Sequence, residues 1–282
     1  MSALSLKAAA KFGENTLSAI GIDTARLDAE LILSWALGID RIAIILLPER
    51  ELTSDEHVRY TQAIARRAQH EPVAYITGSK EFWSMSFIVT SDTLIPRPDS
   101  ETLIDVASRK LTFEHPKNIL DLGTGSGCLL LAALQEFPAA HGLGIDRSAK
   151  AVAIAKRNAD ILELADRANF QIGNWAEGID AQFDLVLCNP PYIAESERSG
   201  LMRDVADYEP ASALFAGADG LEDYRRVLPE MPAILEKNGI CLIEIGNTQA
   251  AAVQAIAAQS GLKSTVYQDM GRRDRVLLLT RL

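Results

Sequence analysis

From Asn118 to the C terminus, short apolar runs alternate with helical stretches, and this alternation constrains the fold more than any other feature of the chain. "NILDLG", "HGLGID", "NFQIG", "FDLVLCN" and "GICLIEI" read as buried strands. "CLLLAALQEF", "SAKAVAIAKRNADIL", "YRRVLPEMPAILEK" and "AAAVQAIAAQSG" fall between them as helices. Strands alternating with helices predict an α/β architecture, a doubly wound and mainly parallel sheet with helices on both faces. The last two strands, "STVYQD" and "DRVLLLTRL", have only "MGRR" between them. They are too close for a crossover helix, so an antiparallel hairpin at one side completes seven strands.

The preceding part is organised differently. Residues 1–72 read as a small helical domain, 73–92 as a connecting β-hairpin and 93–282 as the α/β domain. "TARLDAELILSWALG" repeats Leu27, Leu31 and Trp35 at four-residue spacing, with Ile32 and Ala36 alongside and Gly38 to end the helix. "TSDEHVRYTQAIARRAQH" opens with Thr53 and Glu56 in capping-box spacing. Its Arg66 and Arg67 are expected on a solvated helix face near the negative end of the dipole. "PVAYITGSKEFWSMSFIVTSD" is strand-like, with Gly-Ser as the expected turn. Pro98 opens a further helix.

Composition limits the partners. The formal net charge is -10, and only two of those ten negative charges arise before Pro98. Direct binding to DNA is therefore not expected, since phosphate neutralisation supplies most of that affinity. The start of the chain is amphipathic, without the apolar segment of a signal peptide, and no apolar run approaches the ~20 residues that span a bilayer. A cytoplasmic protein with no membrane partner is the expectation. Cys128, Cys188 and Cys241 lie far apart within apolar runs, so they read as small core residues, and no metal site is expected.

Two features carry chemistry. In "DLGTGSG" the segment Asp121, Gly123, Thr124, Gly125, Ser126 and Gly127 joins a strand to a helix, where glycines allow a ligand to approach the backbone. Its spacing departs from the dinucleotide fingerprint, and no Gly-Lys-Ser/Thr phosphate loop follows. A carboxylate so close to the cradle would repel a pyrophosphate but suits a ligand carrying an ammonium and a sulfonium. Asp146 ends the next strand, where it can accept from two ribose hydroxyls or stand as an acid at the following helix terminus. "GNW" adds Asn174 and Trp175, suited to an adenine, although Trp175 alone reads equally as a core aromatic. Together these residues suggest S-adenosylmethionine.

The second feature is "NPPY". Pro190 and Pro191 have no N–H for a sheet ladder, so the strand before them must stop in a rigid elbow. An amide or arylamine nitrogen is a poor nucleophile because its lone pair is delocalised. If Asn189 Oδ1 and the Pro190 carbonyl accept its two hydrogens, that lone pair can be aimed at a methyl group. Tyr192 can lie against the flat face of the acceptor. The expected catalytic residues are thus Asn189, Pro190 and Tyr192, with Pro191 completing the acceptor site.

"EPVAYITGSKEFWSMSF", "LIPRPDSE", "DLGTGSG", "GNW", "NPPYI" and "YEPASALFAGADGLEDYR" occur here in an order that resembles the PrmC/HemK family. The resemblance implies a class I, Rossmann-like methyltransferase that uses S-adenosylmethionine, releases S-adenosylhomocysteine and needs no metal. It implies a protein-glutamine N5-methyltransferase acting on the Gly-Gly-Gln loop of bacterial-type peptide chain release factors in translation termination. The cofactor would meet Gly123 to Gly127, Asp146, Trp175 and Asn189, and the glutamine would meet Asn189, Pro190, Pro191 and Tyr192. Ser100 stands where the family more often has threonine, so a hydroxyl is retained. Sequence assigns no catalytic role to Arg97, Asp99 or Glu101. Two other readings share the elbow or the cradle: an adenine-N6 methyltransferase on DNA or RNA, and a non-catalytic S-adenosylmethionine-binding module.

Overall fold

The computed structural model describes residues 4–111 and 116–282 and divides into two compact units, Met1–Gly78 with Met202–Tyr208, and Ser79–Leu201 with Glu209–Leu282. The first unit is helical: α1 (Leu6–Ser18), α2 (Ala25–Leu37), α3 (Arg41–Leu46), α4 (Ser54–Arg67) and α5 (Val73–Thr77). Local signals set its boundaries. Gly38 ends α2 in the left-handed conformation. At α4 the Thr53 hydroxyl accepts from Glu56 N while Glu56 Oε2 accepts from Thr53 N at 2.8 Å. Gly13 lets α1 approach α4 closely, because a Cβ there would lie 2.0 Å from the Tyr60 hydroxyl.

Burial in this unit settles which face of α2 is the core and corrects the expectation for Arg67. The row Leu27, Leu31 and Trp35 is not the core face of α2; these side chains are 43%, 38% and 37% exposed. The buried face carries Ala25, Ala29, Ile32, Leu33 and Ala36, whose small residues allow α1 to pack closely. Arg67 is not on a solvated face either. It is buried, with Nε donating to Asp28 Oδ2 at 2.7 Å and Nη1 donating to the Glu71 carbonyl. Burial is tolerated because the charge is paired and bonded to backbone as well.

The second unit begins with the hairpin β1 (Ser79–Phe82) and β2 (Met85–Ile88). Gly78 is the left-handed end of α5, so the turn falls on Trp83 and Ser84 rather than on Gly-Ser. Both turn residues have positive φ, 50° and 58°, as a two-residue hairpin turn that follows the sheet twist requires. A short 3₁₀ turn at Pro98–Ser100 leads into α6 (Glu101–Lys110). There follow β3 (Asn118–Leu122), α7 (Cys128–Glu136), β4 (His141–Asp146), α8 (Ala149–Ile161), β5 (Ala168–Ile172), β6 (Phe183–Cys188), β7 (Leu235–Glu244), β8 (Leu262–Gln268) and β9 (Asp274–Arg281).

Among the described residues, seven strands form one sheet in the order β5-β4-β3-β6-β7-β9-β8. The first five of these are parallel, and β9 runs antiparallel to both β7 and β8, as the short "MGRR" connection requires. Apolar residues cover both faces, with Leu103, Leu130 and Phe170 in one layer and Tyr224, Val227 and Met231 in the other. The stretch "YRRVLPEMPAILEK" is not one helix. It is a helix over Glu222–Val227, a 3₁₀ turn at Leu228–Glu230 and a single turn at Met231–Ile234, because Pro229 and Pro232 withhold N–H donors. The chain leaves β3 toward β4 and β5, then returns to the other side of β3 as β6. That reversal opens a crevice at the carboxyl ends of β3, β4 and β6. Among the described residues, no helix is long and apolar enough to cross a membrane.

Candidate active site

Three parallel strands deliver their last residues to this crevice. After β3 the backbone turns through Gly123, Gly125 and Gly127, all at positive φ. Gly123 N and Thr124 N both donate to the Ile145 carbonyl at 2.9 Å, fixing the loop over β4. Asp146 Oδ2 accepts from Gly125 N at 2.9 Å and Oδ1 accepts from Ser148 N at 2.8 Å, so one carboxylate braces the loop and the start of α8 together. Ser148 itself caps α8. Asn158 ties the loop to the hairpin, donating to the Ser126 and Ile88 carbonyls and accepting from Ile88 N.

A cavity of about 300 Å³ lies against this loop. Gly123, Gly125, Asp146, Asn174, Trp175, Asn189 and Pro191 are on its wall, as are Ser91–Leu94 and Asp223. The Trp175 ring packs beside Gly123, where a Cβ would lie 3.3 Å from it, and the indole bonds to Asp223. Burial is the main reason the Asp223 carboxyl is raised above its usual range. Asp121, Thr124, Ser126 and Gly127 are not on the wall. Asp121 is wholly buried below the loop, with Oδ2 accepting from the Thr124 hydroxyl at 2.6 Å and Oδ1 unpartnered. Desolvation, with Asp146 adding to it, pushes its carboxyl up to about 7. An unpartnered buried carboxylate oxygen beneath a glycine cradle fits a ligand with positive charge.

At the end of β6, Asn189 is half-buried, Pro190 is buried, and Pro191 and Tyr192 are partly exposed. Behind them stand Ser100, noted in the sequence only for its hydroxyl, and Glu244, which the sequence reading left without a role. Asn189 Nδ2 donates to Ser100 Oγ at 3.1 Å, and Ser100 Oγ is 2.5 Å from Glu244 Oε2. Tyr192 OH is 3.2 Å from Glu244 Oε1. Gln249 Nε2 donates to the Tyr192 carbonyl at 2.9 Å, which holds the elbow to the segment after β7. Glu244 had a visible signal: it ends the apolar run "GICLIEI", as Asp121 and Asp146 end theirs. For Ser100 the hydroxyl was visible but its partner was not, since Glu244 lies 144 residues away.

The residues left without a role in the sequence are structural anchors. Arg97 pairs with the buried Glu209, whose other oxygen accepts from Ile95 N. Asp99 pairs with Arg273 and Arg275 at 3.2 and 3.1 Å. Glu101 accepts from Trp83 N at 2.8 Å and thereby supports the hairpin turn.

Comparison with known proteins identifies the family. Residues 8–78 match the PrmC N-terminal domain, and residues 114–275 match a methyltransferase domain. The chain is 40% identical to the release factor glutamine methyltransferase of Rhodospirillum rubrum, over 94% of this chain and 82% of that protein. It is 39% identical to the protein of the same name from Caulobacter vibrioides, over 94% of this chain and 92% of that one. A solved structure of the hMettl16 catalytic domain, in complex with the MAT2A 3′UTR hairpin 6, shares the fold with a TM-score of 0.56 at 17% identity, covering 80% of this chain and 81% of that one. Over most of its length the chain belongs to the release factor glutamine methyltransferase family.

Proposed function

We infer that this protein transfers a methyl group from S-adenosylmethionine to a glutamine side-chain nitrogen of peptide chain release factors, within their Gly-Gly-Gln loop. The observation that carries the reading is Asn189, which directly follows β6 on the wall of the same cavity as Gly123, Gly125 and Asp146. When bound, the cofactor supplies an electrophilic methyl on a sulfonium. The loop from Gly123 to Gly127, Asp146, Asn174 and Trp175 would hold it, and Asp121 would offset its positive charge from below. Asn189 Oδ1 and the Pro190 carbonyl accept the two amide hydrogens of the glutamine, so its lone pair is aimed while positive charge develops on nitrogen. As the N–C bond forms, the sulfonium C–S bond would break to leave a neutral thioether, and the nitrogen would give up one hydrogen to water as a proton. Pro191 and Tyr192 bound the slot. Displacement at a sulfonium methyl needs no Lewis acid, so no metal enters this scheme.

The helical unit would dock the release factor. Its exposed apolar side chains, Leu27, Leu31 and Trp35 on α2 with Ile42, Ile45 and Leu46 on α3, suit a protein partner. The charge of -10 disfavours nucleic acid as the acceptor. Since release factors act beside the ribosome, the enzyme would be cytoplasmic. An assay with purified release factor and labelled cofactor tests the elbow: Asn189→Ala should lose about a hundredfold or more in kcat while the fold is kept. Asn189→Ala at a wild-type rate would refute the scheme.

A further inference from the structure

Asn189 can help only if its oxygen, not its NH₂, faces the incoming amide, and a rotation of the side-chain amide exchanges the two. The groups behind it decide the matter. Ser100 and Glu244 are 3% and 1% exposed, so both are withdrawn from bulk solvent. Ser100 Oγ has one hydrogen and two neighbours, Asn189 Nδ2 at 3.1 Å and Glu244 Oε2 at 2.5 Å. An ionised carboxylate only accepts, so Ser100 gives its one hydrogen to Glu244 and can only accept from Asn189, which requires the Nδ2 side of the amide to face it. That leaves Asn189 Oδ1 on the opposite side of the amide. In the reversed arrangement Glu244 carries a proton and donates to Ser100, Ser100 donates to Asn189 Oδ1, and the NH₂ turns outward. A donor would then face the N–H donors of the acceptor glutamine.

We propose that Glu244 is a positioning residue which, through Ser100, fixes the Asn189 amide with its oxygen toward the acceptor, and that the carboxylate form of Glu244 is the productive one. The proposal rests on the reading of Asn189 given above. Tyr192, the other elbow side chain, is held by the second oxygen of the same carboxylate at 3.2 Å, so one group orients both. The surroundings set its proton affinity. Burial, the largest influence, raises it, and Asp99 in the turn before α6 raises it further; Arg275 on β9 and the bonds from Ser100 and Tyr192 lower it. Tyr224, Cys188 on β6 and Cys128 on α7 also feel its charge, and all three are held neutral by burial.

The test compares wild type, Ser100→Ala, Ser100→Thr and Glu244→Gln in full-length protein. It measures methylation of purified release factor at saturating cofactor, cofactor affinity by calorimetry, and folding by thermal melting. Ser100→Ala breaks the link with the loss of one oxygen, and Glu244→Gln can reverse it. Each should lose about tenfold or more in kcat with cofactor affinity within about twofold. Ser100→Thr keeps the hydroxyl and should stay near wild type. Wild-type kcat should fall on the acid side as Glu244 takes up its proton, and Ser100→Ala should lack that limb. Ser100→Ala at wild-type kcat, or Ser100→Thr as impaired as Ser100→Ala, overturns the proposal. Absence of methylation by wild type would instead count against the reading of function, leaving the two failures distinct.

Discussion

Asp121 shows what a single buried carboxyl can do to this protein. Its folded-state value near 7 lies above the 3.8 of an ordinary aspartate, so folded protein holds a proton that the unfolded chain releases between those values. Stability without cofactor therefore loses Asp121's share as pH rises from about 4 toward about 7, and the loss is complete above that. Asp121→Asn removes this dependence. Thermal melting should show the variant gaining on wild type as pH increases from about 4 to about 8, and a pH-independent difference would contradict the assignment. Asp121, Asp146 and Asn189 were legible from sequence because each closes or follows an apolar strand at its carboxyl end, the side where such sheets bind ligands. Ser100 and Asn158 were not. Their roles are set by partners 144 and 70 residues distant, and no local pattern encodes such a pairing.

Elements differ in how far local chemistry decides them. The capping box at Thr53, the left-handed Gly38 and the alternation behind the sheet all act within a few residues, so sequence displays them. The hairpin turn does not follow local preference. Trp83 and Ser84 adopt positive φ without being glycine or asparagine, because Trp83 N donates to Glu101 at 2.8 Å and its indole donates to Glu136 at 2.7 Å. Those tertiary bonds outweigh a left-handed penalty of roughly 1–2 kcal/mol per residue. Ser84 is exposed, so Ser84→Gly should relieve its share and raise stability by about 0.5–1 kcal/mol in denaturant unfolding. A loss of stability in that variant would show that the serine is not strained. Similarly, the two prolines of "YRRVLPEMPAILEK" broke a stretch whose apolar spacing alone reads as continuous helix.

For the whole molecule, the exposed apolar row on α2 is the feature that sequence left open, since periodicity reveals an apolar face but not which of two such faces is buried. As a docking surface for release factor, that row makes a kinetic distinction. Leu31→Ser with Trp35→Ser should raise KM for intact release factor about tenfold, yet leave turnover of a short Gly-Gly-Gln peptide unchanged. Equal effects on both substrates would dismiss the docking role. The central claim concerns where the methyl goes, and locating it is the most direct measurement. Purified protein is incubated with labelled S-adenosylmethionine in parallel with release factor, DNA and RNA, and the labelled product is sequenced by tandem mass spectrometry. The expected result is one methyl on the side-chain nitrogen of the glutamine in the release factor's Gly-Gly-Gln loop, with no label in either nucleic acid. Label in DNA or RNA, or at another residue of the release factor, would contradict it.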